Sequence, residues 1–342
     1  MAPIKNGRVL FNEVPEGLPV AGKTTIYDES HTIDIDIIPL NGGFVAKLLS
    51  ISVDPYLRGR MRKPEKKSYS NPFTLGEPIS NYAVSVVLRS EDDSVKPGDH
   101  VYGLFPYQEY SVLTKAQIMR TLDNKENLPW SLFVGILGMT GQTAYYAWKE
   151  YAQAKAGETA FISAAAGAVG ATVVQFAKAD GMKVIASSGS EEKVELAKSM
   201  GADVSFNYKT SETAEVLQKE GPISVYWDNV GGPTLEAAIE NASTGARFIE
   251  CGMISGYNGE SYFVKNLMQI VGKQLHIHGF IVGYLGPKYD EEFYSTVPAR
   301  VASGEIKYKE HVYKGLEGAS QAIVDVQSGA NFGKAVIVVA EQ

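Results

Sequence analysis

The sequence predicts an α/β protein built on a doubly wound parallel sheet, and three observations predict it. From about residue 159 onward, short apolar runs alternate with helical stretches. That alternation is the pattern of parallel strands joined by crossover helices. A glycine-containing turn, Ala165-Ala166-Gly167-Ala168-Val169-Gly170, joins the first of those strands to the first helix. Before about residue 120 the chain reads instead as strands and turns, so a second, β-rich unit precedes the sheet. The length of 342 residues is enough for about two domains.

The β-rich part is read from FVAKLLSIS (44–52), SNYAVSVVLRS (80–90) and HVYGLF (100–105), with a Pro-Gly turn in VKPGDHV (95–101). In the second part, TAFISA (159–164), KVIAS (183–187), DVSFNY (203–208), SVYWDNV (224–230), ARFIECG (246–252) and LHIHGFIV (275–282) are expected strands. Helices are expected over 168–180, 190–200, up to about 219, and 234–241. Glu191 and Glu192 suit the first turn of theirs, at the positive end of the helix dipole. Past about residue 303 come an extended segment, KYKEHVYK, a helix over 316–327 and a last strand, KAVIVVA (334–340). That strand is expected to return to the first part. The expected division is a β-rich domain over 1–135 completed by 304–342, with a nucleotide domain over 136–303 between.

Composition narrows the function. The hydrophobic set is 44% and charged residues 21%, a globular balance. The net charge is −7, which argues against general binding to a nucleic-acid backbone. The run Arg58, Arg60, Arg62, Lys63, Lys66, Lys67 therefore reads as a solvated, mobile loop. No run of apolar residues reaches membrane-spanning length, and no signal peptide, peroxisomal address or prenylation box is present; a cytoplasmic protein is expected. One cysteine, Cys251, permits no internal disulfide. It also leaves no Cys-rich zinc set; His276 and His278 share a strand face without a third ligand, and His100 reads as structural. No metal site is expected.

The turn at 165–170 is a relaxed dinucleotide fingerprint, with Ala165 in the place of its first glycine. Gly167 lets backbone approach a pyrophosphate, Gly170 lets the helix pack close, and the helix N-terminus attracts phosphate. A tight turn for packing alone would use the same small residues, but its place at the head of a βαβ run favours a nucleotide. An NAD site would put Asp or Glu at the end of the second strand. Here stand Ser187-Ser188-Gly189-Ser190, with Lys193 one turn into the helix and Tyr208 ending the next strand. A neutral loop with a nearby cation suits a 2′-phosphate, so NADPH is the expected cofactor.

At this point the motifs converge. SVDPYLRGRM (52–61), VKPGDHV (95–101), ILGMTGQTAYYA (136–147), AAAGAVGA (164–171), GSEEKVELAKSMGADVSFNYK (189–209), DNVGG (228–232), CGMISGYN (251–258), HGFIV (278–282) and NFGKAVI (331–337) together resemble one group. It is the zinc-independent alkenal double-bond reductases of the medium-chain dehydrogenase/reductase superfamily, which include prostaglandin reductases and leukotriene 12-hydroxydehydrogenases. The resemblance spans nearly the whole chain. It implies a partly open β-barrel (GroES-like) catalytic domain interrupted by a Rossmann nucleotide domain. It implies a pyrophosphate loop at Gly167, Ala168, Val169 and Gly170, and a 2′-phosphate clamp of Gly189, Lys193 and Tyr208. Asn229 and Asn331 would be cofactor contacts, and Met139 and Thr143 the nicotinamide floor. Cys251, Gly252, Ile254 and Tyr257, with Phe280, Ile281 and Val282, would line the nicotinamide. Tyr257 and Tyr56 would be the tyrosines at the reacting double bond and the substrate cleft. A homodimer joined through the nucleotide domains is implied, with HIHGFIV as its edge segment. The chain departs from the group at GEPISNYAVSVV (76–87), where small residues and Gly are usual and Asn81 and Tyr82 stand here.

The expected reaction is NADPH-dependent reduction of the C=C bond of an α,β-unsaturated aldehyde or ketone. Hydride goes to the β-carbon, and Tyr257 assists the enolate; the cofactor's ribose hydroxyl and Tyr56 compete for that role. A quinone oxidoreductase of the same fold and a non-catalytic NADPH-binding protein are the alternatives. Most of the 19 tyrosines must be structural, so placement in the motifs alone singles out these two.

Overall fold

A computed structural model describes residues 3–260 and 262–341. The chain forms two compact units, one of residues 1–138 with 310–342 and one of residues 139–309.

In the first unit the strand Phe44–Ser52 is the organising element. Only Lys47 on it escapes full burial, because both edges are paired. One edge takes Ser80–Ser90. The other takes Tyr110–Leu113 along Phe44–Lys47 and Lys334–Val338 along Ser50–Ser52, so the C-terminal strand belongs to this unit. Register shifts between Phe44–Ser52 and Ser80–Ser90 bend the sheet, as bulges do. The full path is Glu310–Lys314, Lys334–Val338, Phe44–Ser52, Ser80–Ser90, His100–Pro106, Ile118–Thr121, and among the described residues its ends do not pair, a partly open arrangement. Its core gathers Phe11, Phe44, Ile51, Leu57, Phe105 and Tyr107 with Ala319, Ile323 and Ile337 from the chain's end.

The arginines of the basic run correct the solvated-loop expectation. Arg58 donates to Gly17 O, Arg60 to Asn71 O and Ser80 O, and Arg62 to Gly59 O, Lys66 O and Ser70 O. The Arg60 guanidinium also lies 4.1 Å from the Phe73 ring centre. Arg60 and Arg62 therefore gather carbonyls that the irregular backbone of 59–80 would otherwise leave unpaired, and Arg58 does the same for the loop at Gly17. Only Lys63, Lys66 and Lys67 are solvated.

The second unit holds six parallel strands in the order Val204–Asn207, Lys183–Ser188, Thr159–Ile162, Ile223–Asp228, Ala242–Glu250, His276–Gly279. Numbered along the chain, that order is 3-2-1-4-5-6, the doubly wound Rossmann arrangement. The direction of winding reverses between the first and fourth strands, and ligands of such sheets bind outside the carboxyl ends there.

Two elements differ from expectation. The sixth strand ends at Gly279, opposite the last residue of its partner Glu250, so Phe280–Val282 have no ladder to join. A helix, Val282–Ala302, begins at once. It carries Pro287 and Pro298, breakers that hide its 21 residues from a reading by propensity. It packs against Met139–Ala147, where Tyr145 donates to Glu292 and Tyr146 to Asp290. Three threonine and glycine residues weaken the helical signal of Met139–Ala147; burial of its tyrosines supplies what propensity does not.

Candidate active site

Six of the positions read from sequence are brought together because each follows the end of a different parallel strand. The Ser163–Gly167 turn follows the first strand, Gly189 the second, Tyr208 the third, Asn229 the fourth, Cys251 the fifth and Phe280 the sixth. Met139 and Thr143 lie in the same unit, on the Met139–Ala147 helix, where Thr143 Oγ1 donates to Met139 O at 2.7 Å. Tyr56 and Asn331 belong to the first unit.

The turn after the first strand is tightly built. Ala164 adopts φ +48°, a left-handed conformation that alanine rarely takes. A Cβ at Gly170 would lie 2.5 Å from Ala164 O and 2.8 Å from Ala165 Cα, so only glycine lets the Ala168–Ala179 helix start there. Gly167 is the N-cap, and the helix points its unpaired N–H groups past the strand end.

At the second strand end, a Cβ on Gly189 would meet the Tyr208 hydroxyl at 2.9 Å, so the phenol lies across the glycine. Burial lowers the Lys193 pKa, and neighbouring Lys209 lowers it further, against Glu192. Ser188 Oγ is buried here without a partner. Glu191 accepts from the Asn207 amide at 2.8 Å. Two cations and an unused hydroxyl around a glycine make a place for an anion. Lys209 was not singled out from sequence; its position beside Tyr208 in NYK was the available signal.

The fourth and fifth strand ends are locked to each other. Asp228 Oδ1 accepts from Val230 N, Gly231 N and the Tyr226 hydroxyl. Cys251 N and Gly252 N both donate to Asp228 O. Gly231 has φ +68°, and a Cβ there would lie 2.7 Å from Met253. Asn229 donates to Ser163 O at 2.6 Å and accepts from Trp227 Nε1 at 3.1 Å, so its side chain braces the first and fourth strand ends. Ile254 N reaches Asn229 O at 3.3 Å. The Tyr257 hydroxyl lies 3.2 Å from where a Cβ on Gly252 would be.

Beneath this lock, Asp228 Oδ2 and both oxygens of Glu250 are buried with no donor. The two carboxyls are hydrogen-bonding neighbours, and burial, then Asp228, pushes Glu250 up to about 9. A proton shared between them is the donor that the other groups do not supply. Burial, with Asp228 and Glu250 adding, also pushes the Cys251 thiol up to about 12, so it stays protonated and unreactive.

In the first unit Tyr56 is partly buried against the core, and its hydroxyl donates to Asn81 Oδ1 at 2.6 Å. Burial, with Asp54 nearby, raises its pKa well above the usual phenol value. Asn331 donates to Gly333 O at 2.8 Å, and His311 Nδ1 accepts Phe332 N in the same loop. Among the described residues no three His, Cys, Asp or Glu side chains gather as metal ligands. His100 stacks on Trp130 at 3.9 Å and His278 on Tyr151 at 4.7 Å.

Known proteins match this layout. Residues 8–121 match the family described as the N-terminal domain of oxidoreductase, and residues 168–299 the family described as zinc-binding dehydrogenase. The NADP-dependent oxidoreductase RED1 of Cochliobolus heterostrophus is 42% identical over 98% of both chains. The 2-alkenal reductase (NADP(+)-dependent) of Nicotiana tabacum is 40% identical over 99% of both. The crystal structure of CurA in complex with NADPH, from Vibrio vulnificus, superposes with a TM-score of 0.88 at 31% identity, covering 98% of this chain and 100% of that one. Aligned end to end with such relatives, the chain belongs to the zinc-independent, NADP-dependent alkenal double-bond reductases of the medium-chain dehydrogenase/reductase superfamily.

Proposed function

We propose that the protein reduces the C=C bond of α,β-unsaturated aldehydes and ketones with NADPH. The observation that carries the reading is the cluster of strand ends around the sheet's reversal point, with the Lys193–Lys209 pair at its second strand. The tobacco relative named as a 2-alkenal reductase supports the substrate class. Residues 1–138 with 310–342 are the catalytic domain in this reading, and residues 139–309 the NADPH-binding domain.

The residues fit that cofactor. The Gly167–Gly170 turn and its helix N-terminus take the pyrophosphate; Gly189, Lys193, Tyr208 and Lys209 take the 2′-phosphate. When bound, NADPH supplies the hydride. Met139 and Thr143, the 251–254 segment and Phe280–Val282 position the nicotinamide, and Asn331 adds a contact from the catalytic domain. Asn229 contributes through the second hydrogen of its amide, the first being held by Ser163 O. As charge grows on the substrate's carbonyl oxygen, Tyr257 donates its hydroxyl hydrogen bond to that oxygen. Tyr56 lines the substrate side.

A homodimer belongs to the same reading. His276–Gly279 ends the six-stranded sheet with an edge that no other strand among the described residues pairs, and Ile277 on it is 41% exposed. A second copy of this edge is the proposed partner.

Oxidation of NADPH followed at 340 nm across a panel of 2-alkenals, cyclic enones, benzylideneacetones and quinones tests the proposal. Turnover of the alkenals or enones is expected. Turnover of quinones alone, or of nothing, defeats it.

A further inference from the structure

In the first unit Asn81 ends a closed network of buried groups. Its Nδ2 donates to Ser52 O at 2.7 Å and to Asp54 Oδ2 at 2.8 Å. Both partners are acceptors only, so the amide cannot be turned over without setting oxygen against oxygen. Its Oδ1 therefore faces Tyr56, and the phenol must donate to it. The rest of the network holds this arrangement still. Lys334 spends its three N–H bonds on Ser52 Oγ at 2.6 Å, Val53 O at 3.1 Å and Asp54 Oδ1 at 2.5 Å. Ser52 Oγ donates to Asp54 Oδ2 and Tyr107 donates to Ser52 O, each at 2.5 Å. Asn81, Asp54 and Lys334 are all buried.

We propose that Asn81 is a positioning residue that fixes the hydrogen of the Tyr56 hydroxyl, so that Tyr56 presents an acceptor to the substrate and the enzyme favours α,β-unsaturated carbonyls that carry a hydroxyl or phenol. The proposal rests on the reading of Tyr56 as a substrate contact. If Tyr56 turned its hydrogen toward a substrate oxygen, Asn81 Oδ1 would be left buried without a donor, an unfavourable exchange of roughly tenfold or more. Nor does the network feed a proton to Tyr56. An amide is too weak a base and too weak an acid to hand one on, and the Asp54 carboxylate, held by Lys334, Ser52 and Asn81, reaches Tyr56 only through that amide. The enolate donor must therefore come from elsewhere, which leaves Tyr257 and the cofactor's ribose hydroxyl.

The test uses matched substrates: the 2-, 3- and 4-hydroxybenzylideneacetones and their methyl ethers. Hydroxyl and methoxyl perturb the double bond similarly, but only the hydroxyl donates. In the unmodified enzyme at least one hydroxyl compound should exceed its ether in kcat/KM by about tenfold, mostly through KM. Tyr56→Phe should bring that ratio to about one, since the acceptor is gone. Asn81→Gly should bring it to one or below, because the released hydrogen then favours either oxygen. Circular dichroism checks that each variant is folded. Should Asn81→Gly fail to fold, the ratio in the unmodified enzyme and in Tyr56→Phe decides the question alone, because a donating Tyr56 would accept hydroxyl and ether alike. A ratio near one for every pair overturns the proposal, as does a ratio unchanged in folded Asn81→Gly. Absence of turnover with both members of every pair, and with the wider enone panel, would overturn the underlying activity instead.

Discussion

The Lys193 ammonium is half-buried beside Lys209, an arrangement that a bound dianion relieves and solvent relieves poorly. Lys193→Ala should therefore raise the Kd for NADPH on the order of 10- to 100-fold, the worth of a charged hydrogen bond. The Kd for NADH should change little; equal losses for both cofactors in a binding titration would remove Lys193 from the 2′-phosphate. Tyr257→Phe should lower kcat roughly 100-fold with cofactor affinity unchanged, if its hydroxyl is the enolate donor. Glu250 makes a different kind of claim. Its pKa is raised in the folded chain, so the folded state holds a proton that the unfolded chain releases above the ordinary carboxyl range. That contribution to stability is complete below the unfolded value and is lost as pH climbs toward about 9. Melting temperature should fall across that window, and Glu250→Gln should flatten the fall, because an amide offers Asp228 a hydrogen at any pH. An identical slope in the variant would mean the carboxyls do not share a proton. The reading of Lys193 and Tyr208 rests on a missing acid and a short motif within one stretch of sequence. The Asp228–Glu250 pair and the Asn81 network were not legible there, since each joins residues far apart along the chain and depends on which groups lack a donor.

The strands were legible as elements, because buried parallel strands are apolar runs and the turns between them are rich in glycine. The helices that precede and follow them were less so. Val282–Ala302 contains two prolines, and Met139–Ala147 is held by the contacts of its tyrosines with Glu292 and Asp290 more than by propensity. The arginine run misled for a related reason: composition says that Arg58, Arg60 and Arg62 are charged, and only the fold says that backbone carbonyls await them. The sixth strand also shows what an element leaves open. Its outer edge has no strand partner among the described residues, and Ile277 on it is exposed. Ile277→Glu should shift sedimentation velocity from the dimer to the monomer, by placing a charge at the proposed junction. A variant that still sediments as the dimer would place the interface elsewhere, and a monomeric unmodified protein would dismiss the dimer.

At the scale of the molecule, the C-terminal strand Lys334–Val338 pairs with Phe44–Ser52, so the chain's two end segments build one unit and the segment between them in sequence builds the other. The single cysteine and five histidines already spoke against a metal ligand set in the sequence. In the structure burial keeps the Cys251 thiol protonated, and His100 and His278 stack on aromatic rings. Following the hydride separates reduction of an activated double bond from reduction of a carbonyl. NADPH carrying two deuterium atoms at C4 of the nicotinamide should yield a saturated ketone or aldehyde with one deuterium on the β-carbon, read by NMR and mass spectrometry. Deuterium on the carbonyl carbon of an alcohol product, or an unlabelled product, would contradict the account.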